Sequence, residues 1–307
     1  MRYTNSDPAA VPKTFREVRQ WRRQRGGKMK DKDYSYQVPF VDPDLVYLHG
    51  NSTEPTLTWV GHSTFFMQLA GLNIITDPIW AEKLAFHRRL TRPGISAADV
   101  PPVDVILISH SHYDHLNIAS LKQLTGSKVL IVPVGLADKL RRKGFSSIIE
   151  LDWWQSAEVS GVKFTFVPAQ HWTRRTLVDT NSSLWGGFVI ECKDAPTVYF
   201  AGDSGYFDGF KQIGMRFPDI DVALMPIGAY DPEWFMGPQH VTPEEALKAF
   251  RDTGARCFVP MHYGSYKLAD DTPREALDRL EAEMNRLRLT AETVRILPHG
   301  ETWQLKK

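Results

Sequence analysis

Cysteine is scarce in this chain: Cys192 and Cys257 are the only two among 307 residues, and they form no C-x-x-C motif. Neither a disulfide framework nor a cysteine metal site is indicated, and a reducing compartment is the simplest home. Net charge is also nearly lacking, at +1, so no overall field directs the protein toward nucleic acid or an anionic membrane. No run of about 18 apolar residues exists, and the opening MRYTNSDPAAVPK has no apolar core of signal-peptide length. Neither a membrane span nor export by that route is expected. A cytoplasmic protein is, with peripheral contact at a membrane left open. Short-period repeats and low-complexity tracts are absent as well.

What is present is an ordinary globular composition, 42% hydrophobic and 24% charged, which argues against disorder of the whole chain. Residues 1–55 differ from the rest in being polar, proline-containing and, over KTFREVRQWRRQRGGKMKDK, strongly basic. Val11, Phe15, Val18 and Trp21 recur at helical spacing there. This predicts a helix packed on the domain surface, with a lipid-touching helix as the alternative. Residues 1–55 therefore read as an N-terminal extension with a basic helix, and residues 56–307 as the catalytic domain.

From Thr56 the pattern becomes short apolar strands separated by turn signals. LTWV, TFFMQL and LNIITD read as a meander; VDVILIS, KVLIVPV, KFTFVPA, LWGGFVIE, TVYFAGD, DVALMPIG, RCFVPMH and TVRILPH read as further strands. Helices are predicted over NIASLKQL, LADKLRRKG, PEEALKAFRDTG and PREALDRLEAEMNRL. In the third of these, Thr242 precedes Pro243 and Gly254 closes the run, the residues that start and stop helices. Strands and helices in two successive batches suggest two sheets packed face to face with helices outside.

The chemistry is concentrated in ILISHSHYDHLNI. His110 and His112 alternate along an extended stretch and so face the same way, able to grip one ion together. Asp114 and His115 lie past the turn, within reach of a second ion. Three more strand ends each carry one ligand-type residue: His171 in FVPAQHW, Asp203 in YFAGDSG and His262 in VPMHYG. Nitrogen and carboxylate donors without thiolate suit two zinc ions first, with iron or manganese next. Asp203, the only charged donor outside the cluster, is the candidate to bridge them. Because divalent ions lower the pKa of water from about 15.7 toward about 7, the reaction class is hydrolysis.

The H-x-H-x-D-H run with a later His, Asp and His resembles the metallo-β-lactamase fold. That resemblance implies an α/β architecture, an αββα sandwich with the metals at the sheet edges. It further implies that His110, His112 and His171 hold one zinc, that Asp114, His115 and His262 hold the second, and that Asp203 bridges. WVGHSTFFMQLAGLNIITDPIW, ELDWWQ, PAQHWTRRTLVDTNSSLWGGFVI, FAGDSGYFDGF, MPIGAYDPEWFMGPQHVTPEEA and MHYGSY are similar to the N-acylphosphatidylethanolamine-hydrolysing phospholipase D group over residues 56–304. The implied reaction releases an N-acylethanolamine and phosphatidic acid, with Asp114, Asp203 and His240 in catalytic roles, and the implied assembly is a dimer.

Apolar walls for a lipid are expected from Trp172, Tyr230, Trp234, Phe235 and Met236, with Trp153 and Trp154 as further aromatics. YDPEWFMG is read as a loop near His240. Arg174 and Arg175 are candidates to meet a phosphate, although arginines in a loop are commonly solvated. His62 is expected to orient a ligand or pack behind the site, and Tyr113 to be a spacer. A cytosolic lactonase or phospho-sugar lactonase is the rival activity, and a metal-binding scaffold without turnover is the rival of another class. Nucleic acid is not an expected partner, because no basic stripe accompanies the candidate site and the basic segment is confined to the extension.

Overall fold

The computed structural model describes residues 2–6 and 13–307. Helix α1 (Phe15–Lys28) begins at a capping box in which Thr14 and Glu17 satisfy one another's backbone, and α2 (Leu45–Gly50) follows. Val11, part of the predicted helical pattern, lies outside the described residues. Trp21 anchors α1 to the rest of the chain: its indole N–H donates to Asp270 at 2.8 Å and its ring stacks on Phe235 at 5.1 Å. Arg25 pairs with the same Asp270 at 2.8 Å.

The chain then runs through β1 (Thr56–Gly61), β2 (Thr64–Leu69) and β3 (Leu72–Thr76), a small hairpin of β4 (Lys83–Leu84) and β5 (His87–Arg88), and β6 (Val105–Leu107). Next come α3 (Ile118–Gln123), β7 (Val129–Pro133), α4 (Ala137–Arg141), β8 (Ile148–Leu151), β9 (Ser156–Val159), β10 (Val162–Pro168), β11 (Gly186–Glu191) and β12 (Val198–Phe200). After them lie α5 (Gly209–Arg216), β13 (Val222–Pro226), α6 (Glu233–Met236), α7 (Pro243–Thr253), β14 (Cys257–Met261), α8 (Pro273–Leu287) and β15 (Thr302–Gln304). Two sheets result, one ordered β15-β1-β2-β3-β6-β7-β8 and the other β14-β13-β12-β11-β10-β9.

Strands β1, β2 and β13 are buried on both faces, which is why they read as apolar runs and not as alternation. Leu57, Trp59, Phe65 and Met67 of the first sheet share one core with Phe164, Phe166, Phe188 and Phe200 of the second. Their alternates Val60, Phe66, Ile75 and Ile106 face outward into a separate core with Leu121 and Leu140 of the outer helices. The architecture is the αββα sandwich of the metallo-β-lactamase fold. Helices α7 and α8 both start with Thr-Pro-x-Glu capping boxes, at Thr242 and Thr272, and α7 stops at Gly254 with φ +68°; each cap contributes about 1 kcal/mol.

Two expectations are corrected. TVRILPH forms no ladder strand; Val294 and His299 make only isolated bridges, to Phe258 and Phe40. This segment leaves the edge of the second sheet and crosses to the first, and Pro298 lacks the N–H a ladder requires. The last strand is instead β15, which pairs with β1. YDPEWFMG contains the single-turn helix α6 instead of being irregular throughout.

Strand direction decides where the chemistry gathers. β3 and β6 are parallel, as are β12, β13 and β14. β1 and β10 each lie two antiparallel steps away, from β3 and β12 respectively, and so point the same way. Each sheet thus delivers several carboxyl strand ends to one edge, the usual address of sites in open sheets. The edges meet where Gly186 N–H donates to the Ser109 carbonyl at 3.1 Å. Gly202 is required there: it sits at φ +64°, and a Cβ would stand 2.6 Å from the Gly186 oxygen and 2.9 Å from Ser109 Cβ.

Candidate metal centre

Six strand ends supply the site. His62 follows β1, Asp77 follows β3, residues 110–115 follow β6, His171 follows β10, Asp203 follows β12 and His262 follows β14. His62, Asp77 and His262 all have positive φ, at 56°, 33° and 62°. Such backbone is uncommon without glycine and costs on the order of 1–3 kcal/mol each, so its occurrence at three of the strand ends marks a constrained site.

His110, His112 and His171 form one group of converging donors. His110 Nε2 lies 2.9 Å from His112 Nδ1, which lies 3.2 Å from His171 Nε2. Burial pushes His112 down to about 3 and His171 down to about 4, and holds His110 well below its ordinary value. All three are therefore neutral imidazoles at pH 7, the form that ligates metal.

Asp114, His115 and His262, with His62, form the second group. Asp114 Oδ2 stands 3.0 Å from His62 Nε2, 3.2 Å from His115 Nε2 and 3.5 Å from His262 Nε2. Here burial, which works against charge, is outweighed by Asp203 and Asp114; His262 is raised to about 9 and His115 well above its usual value. Two imidazole nitrogens 3.3 Å apart among carboxylates hold positive charge between them. Asp203 Oδ2 joins the groups, at 3.1 Å from both His115 and His262 Nε2 and at 4.0 and 3.9 Å from His110 and His171 Nε2. Its other oxygen, Oδ1, is buried without a hydrogen-bond partner. Three neutral imidazoles, a pair of imidazoles among carboxylates, a shared carboxylate with an orphaned oxygen and no thiolate fit two divalent ions.

Around these groups lies a layer that orients them. Asp77 Oδ2 accepts from His115 Nδ1 at 2.7 Å and from Ser109 Oγ at 2.5 Å, and Oδ1 accepts from Ser109 N–H at 2.7 Å. Ser109 Oγ in turn meets His110 Nδ1 at 2.9 Å, so one carboxylate reaches a histidine of each group. His171 Nδ1 donates to the Gln239 carbonyl at 2.9 Å, turning Nε2 inward. Asp77 was not singled out from the sequence, although it ends LNIITD as Asp203 ends TVYFAGD; the same strand-end rule would have found it.

His240 lies edge-on to His171 at 5.1 Å and stacks on His262 at 5.6 Å, with Nδ1 3.9 Å from Asp203 Oδ2. His62 holds Asp114, and its ring is tilted against His262 at 4.2 Å. Trp172 packs edge-on to His112 at 4.9 Å. Trp234 is 42% exposed and touches Phe235, which also meets Trp21 and Lys13. Tyr230 lies under Arg279 at 4.7 Å, and Met236 offers its carbonyl to the His240 N–H at 3.0 Å.

Trp153 and Trp154 pack on the core, Trp153 donating to the Trp185 carbonyl at 2.6 Å and Trp154 lying under Arg216. Arg175 is not placed for phosphate. Its guanidinium donates to the Ser111 and Leu116 carbonyls at 2.7 and 2.8 Å and buttresses the loop that carries the histidines. Arg174 lies 5.3 Å from the Trp172 ring, and Tyr113 donates to the Arg175 carbonyl at 2.8 Å, outside both groups.

Known proteins resemble this chain in sequence and fold. The family described as Beta-lactamase superfamily domain matches residues 72–263. N-acyl-phosphatidylethanolamine-hydrolyzing phospholipase D 1 of Caenorhabditis elegans is 34% identical over 269 residues, 80% of this chain and 75% of that protein. A metal-dependent hydrolase of Methanopyrus kandleri is 30% identical over 253 residues, 81% of this chain and 99% of the relative. A solved metallo hydrolase of Ignicoccus hospitalis superposes with a TM-score of 0.64 at 25% identity, over 83% of this chain and 100% of its own.

Proposed function

Because the chain belongs to the beta-lactamase superfamily and is a metal-dependent hydrolase, we propose that it is a dinuclear zinc phosphodiesterase of phospholipase D type. It would cleave N-acylphosphatidylethanolamine or a related lipid to an N-acylethanolamine and phosphatidic acid. The observation that carries the reaction class is the meeting of two His/Asp donor groups at Asp203 Oδ2. The substrate rests on the Caenorhabditis elegans relative and its 75% coverage.

In this reading His110, His112 and His171 hold one ion, Asp114, His115 and His262 the other, and Asp203 lies between. Two such ions, when bound, acidify water and polarise a phosphoryl oxygen. Asp77 and Gln239 keep the ligating nitrogens turned inward. His240, held neutral by burial, brings a nitrogen without another partner, Nδ1, toward the cluster and hydrogen-bonds the phosphoryl or leaving oxygen. Trp172 and the exposed face of Trp234 supply apolar wall, with Tyr230, Phe235 and Met236 behind them.

Residues 56–307 are the catalytic unit and residues 1–55 the extension. Among the described residues no helix is long and apolar enough to cross a membrane; a cytoplasmic site with peripheral membrane contact, and a homodimer, belong to the same reading. A second reading, a cytosolic lactonase or phospho-sugar lactonase, uses the same donor groups; the Methanopyrus kandleri relative, covered over 99% of its length, bears the general name of metal-dependent hydrolase. Zinc-loaded protein is incubated with N-acylphosphatidylethanolamine in detergent micelles, and products are identified by mass spectrometry with His112→Ala as control. Release of both products by the wild type alone supports the phospholipase; zinc bound without release, with turnover of a lactone, supports the second reading.

A further inference from the structure

Asn5 lies 166 positions before His171, yet its carboxamide closes on both backbone groups of that histidine. Nδ2 donates to the His171 carbonyl at 2.9 Å, and the His171 N–H donates to Oδ1 at 3.1 Å. The Trp185 indole donates to the same Oδ1 at 2.9 Å, and Tyr3 N–H donates to the Asn181 carbonyl at 2.8 Å, so the segment is anchored at Tyr3 as well as at Asn5.

The placement has a physical reason. The ladder between β10 and β11 ends at the Pro168–Gly186 pair, so His171, fully buried three residues further on, has no partner in that ladder. Its buried peptide groups still require hydrogen bonds. A carboxamide offers one donor face and one acceptor face, as a peptide does, and satisfies both. The imidazole is held separately by the Gln239 carbonyl. Asn5 therefore fixes the backbone from which the Nε2 atom is aimed at His112.

We propose that Asn5 is a positioning residue for His171, and that the first ion's affinity depends on it while the second ion's does not. This rests on the reading that the two donor groups each hold an ion. It gives residues 2–6 of the extension a part in the catalytic unit that no strand-end rule assigns to them. Alanine at position 5 would leave a buried N–H and a buried C=O without these partners. Aspartate would keep the acceptor and lose the donor.

The test is a Co(II) titration of full-length, chelator-treated protein followed by visible absorption. His112→Ala and Asp114→Ala, each lacking a donor of one group, assign the two binding steps. In Asn5→Ala the step missing from His112→Ala should weaken about 10- to 100-fold, the range seen when partners of metal ligands are removed. The step missing from Asp114→Ala should be unchanged, and Asn5→Asp, which keeps the acceptor but sets a charged oxygen against the His171 carbonyl, should weaken the same step and serve where the alanine variant fails to fold. Two unchanged steps, or equal weakening of both, would overturn the assignment. A wild type that binds no cobalt would instead overturn the reading of the two groups as ion sites, and this proposal with it.

Discussion

The carboxylate of Asp77 accepts a hydrogen bond from His115 Nδ1 at 2.7 Å, with both side chains wholly out of solvent. A carboxylate only accepts, so this contact puts the proton of His115 on Nδ1 and leaves Nε2 to ligate. Asp77→Asn exchanges an oxygen for an amide that can donate and favours the wrong tautomer. Zinc affinity of the second group should fall about 10- to 100-fold in a competition with a chromophoric chelator. Affinity equal to wild type would refute an orienting role for Asp77.

Asp203 Oδ2 lies within 4.0 Å of two histidines from each group. Asp203→Asn should lower bound zinc below two per chain and reduce turnover by more than the about 100-fold upper range for an orienting partner. Metal analysis and a rate measurement on the same preparation decide it; a variant that keeps both ions and its rate would show that Asp203 bridges nothing.

Arg175 predicts a structural defect and not a substrate defect. Removing its guanidinium strips donors from the Ser111 and Leu116 carbonyls, at a cost of about 1–3 kcal/mol. Urea denaturation of metal-free Arg175→Ala should show that loss, and Arg175→Lys should recover part of it, because both carbonyls accept from the single nitrogen Nη1 and an ammonium also offers several donors from one nitrogen. If stability is unchanged and only KM rises, the phosphate role returns.

Asp271 makes stability depend on pH. Burial raises its carboxyl to about 6, against hydrogen bonds from the Ala229 and Asp231 amides, with Asp231 nearby adding repulsion. A folded pKa above the unfolded one means extra stability that is complete below about 4 and lost as pH rises through 6. At 1.36 kcal/mol per pKa unit the loss is on the order of 3 kcal/mol. Melting curves from pH 4 to 7 should show this decline in the wild type and a flatter profile in Asp271→Asn. Parallel profiles for the two proteins would contradict it.

Much of the site is legible in the chain because its donors obey local rules. His110 and His112 share a face by the two-residue period of extended backbone, and one donor stands past each of three buried strands. The same rule covers Asp77, which went unnoticed because it orients ligands and is not itself needed to complete their number. Arg175 shows the opposite failure. A loop arginine beside a histidine motif invites a phosphate reading, and only the carbonyls of Ser111 and Leu116, 64 and 59 positions away, show its use.

By itself, then, the sequence determined the buried strands β1–β3, β6, β7 and β10–β14, the capped helices α7 and α8 and the identity of the metal-type donors, because periodicity, capping and strand ends act over a few residues. The tertiary structure decided which donors form each group, that Asp203 lies between them, that the segment ending at His299 crosses between sheets, and that Asn5 holds His171. Those outcomes depend on strand direction and on contacts more than 100 residues apart. No short-range pattern encodes them, since such pairings are chosen only when the whole core packs.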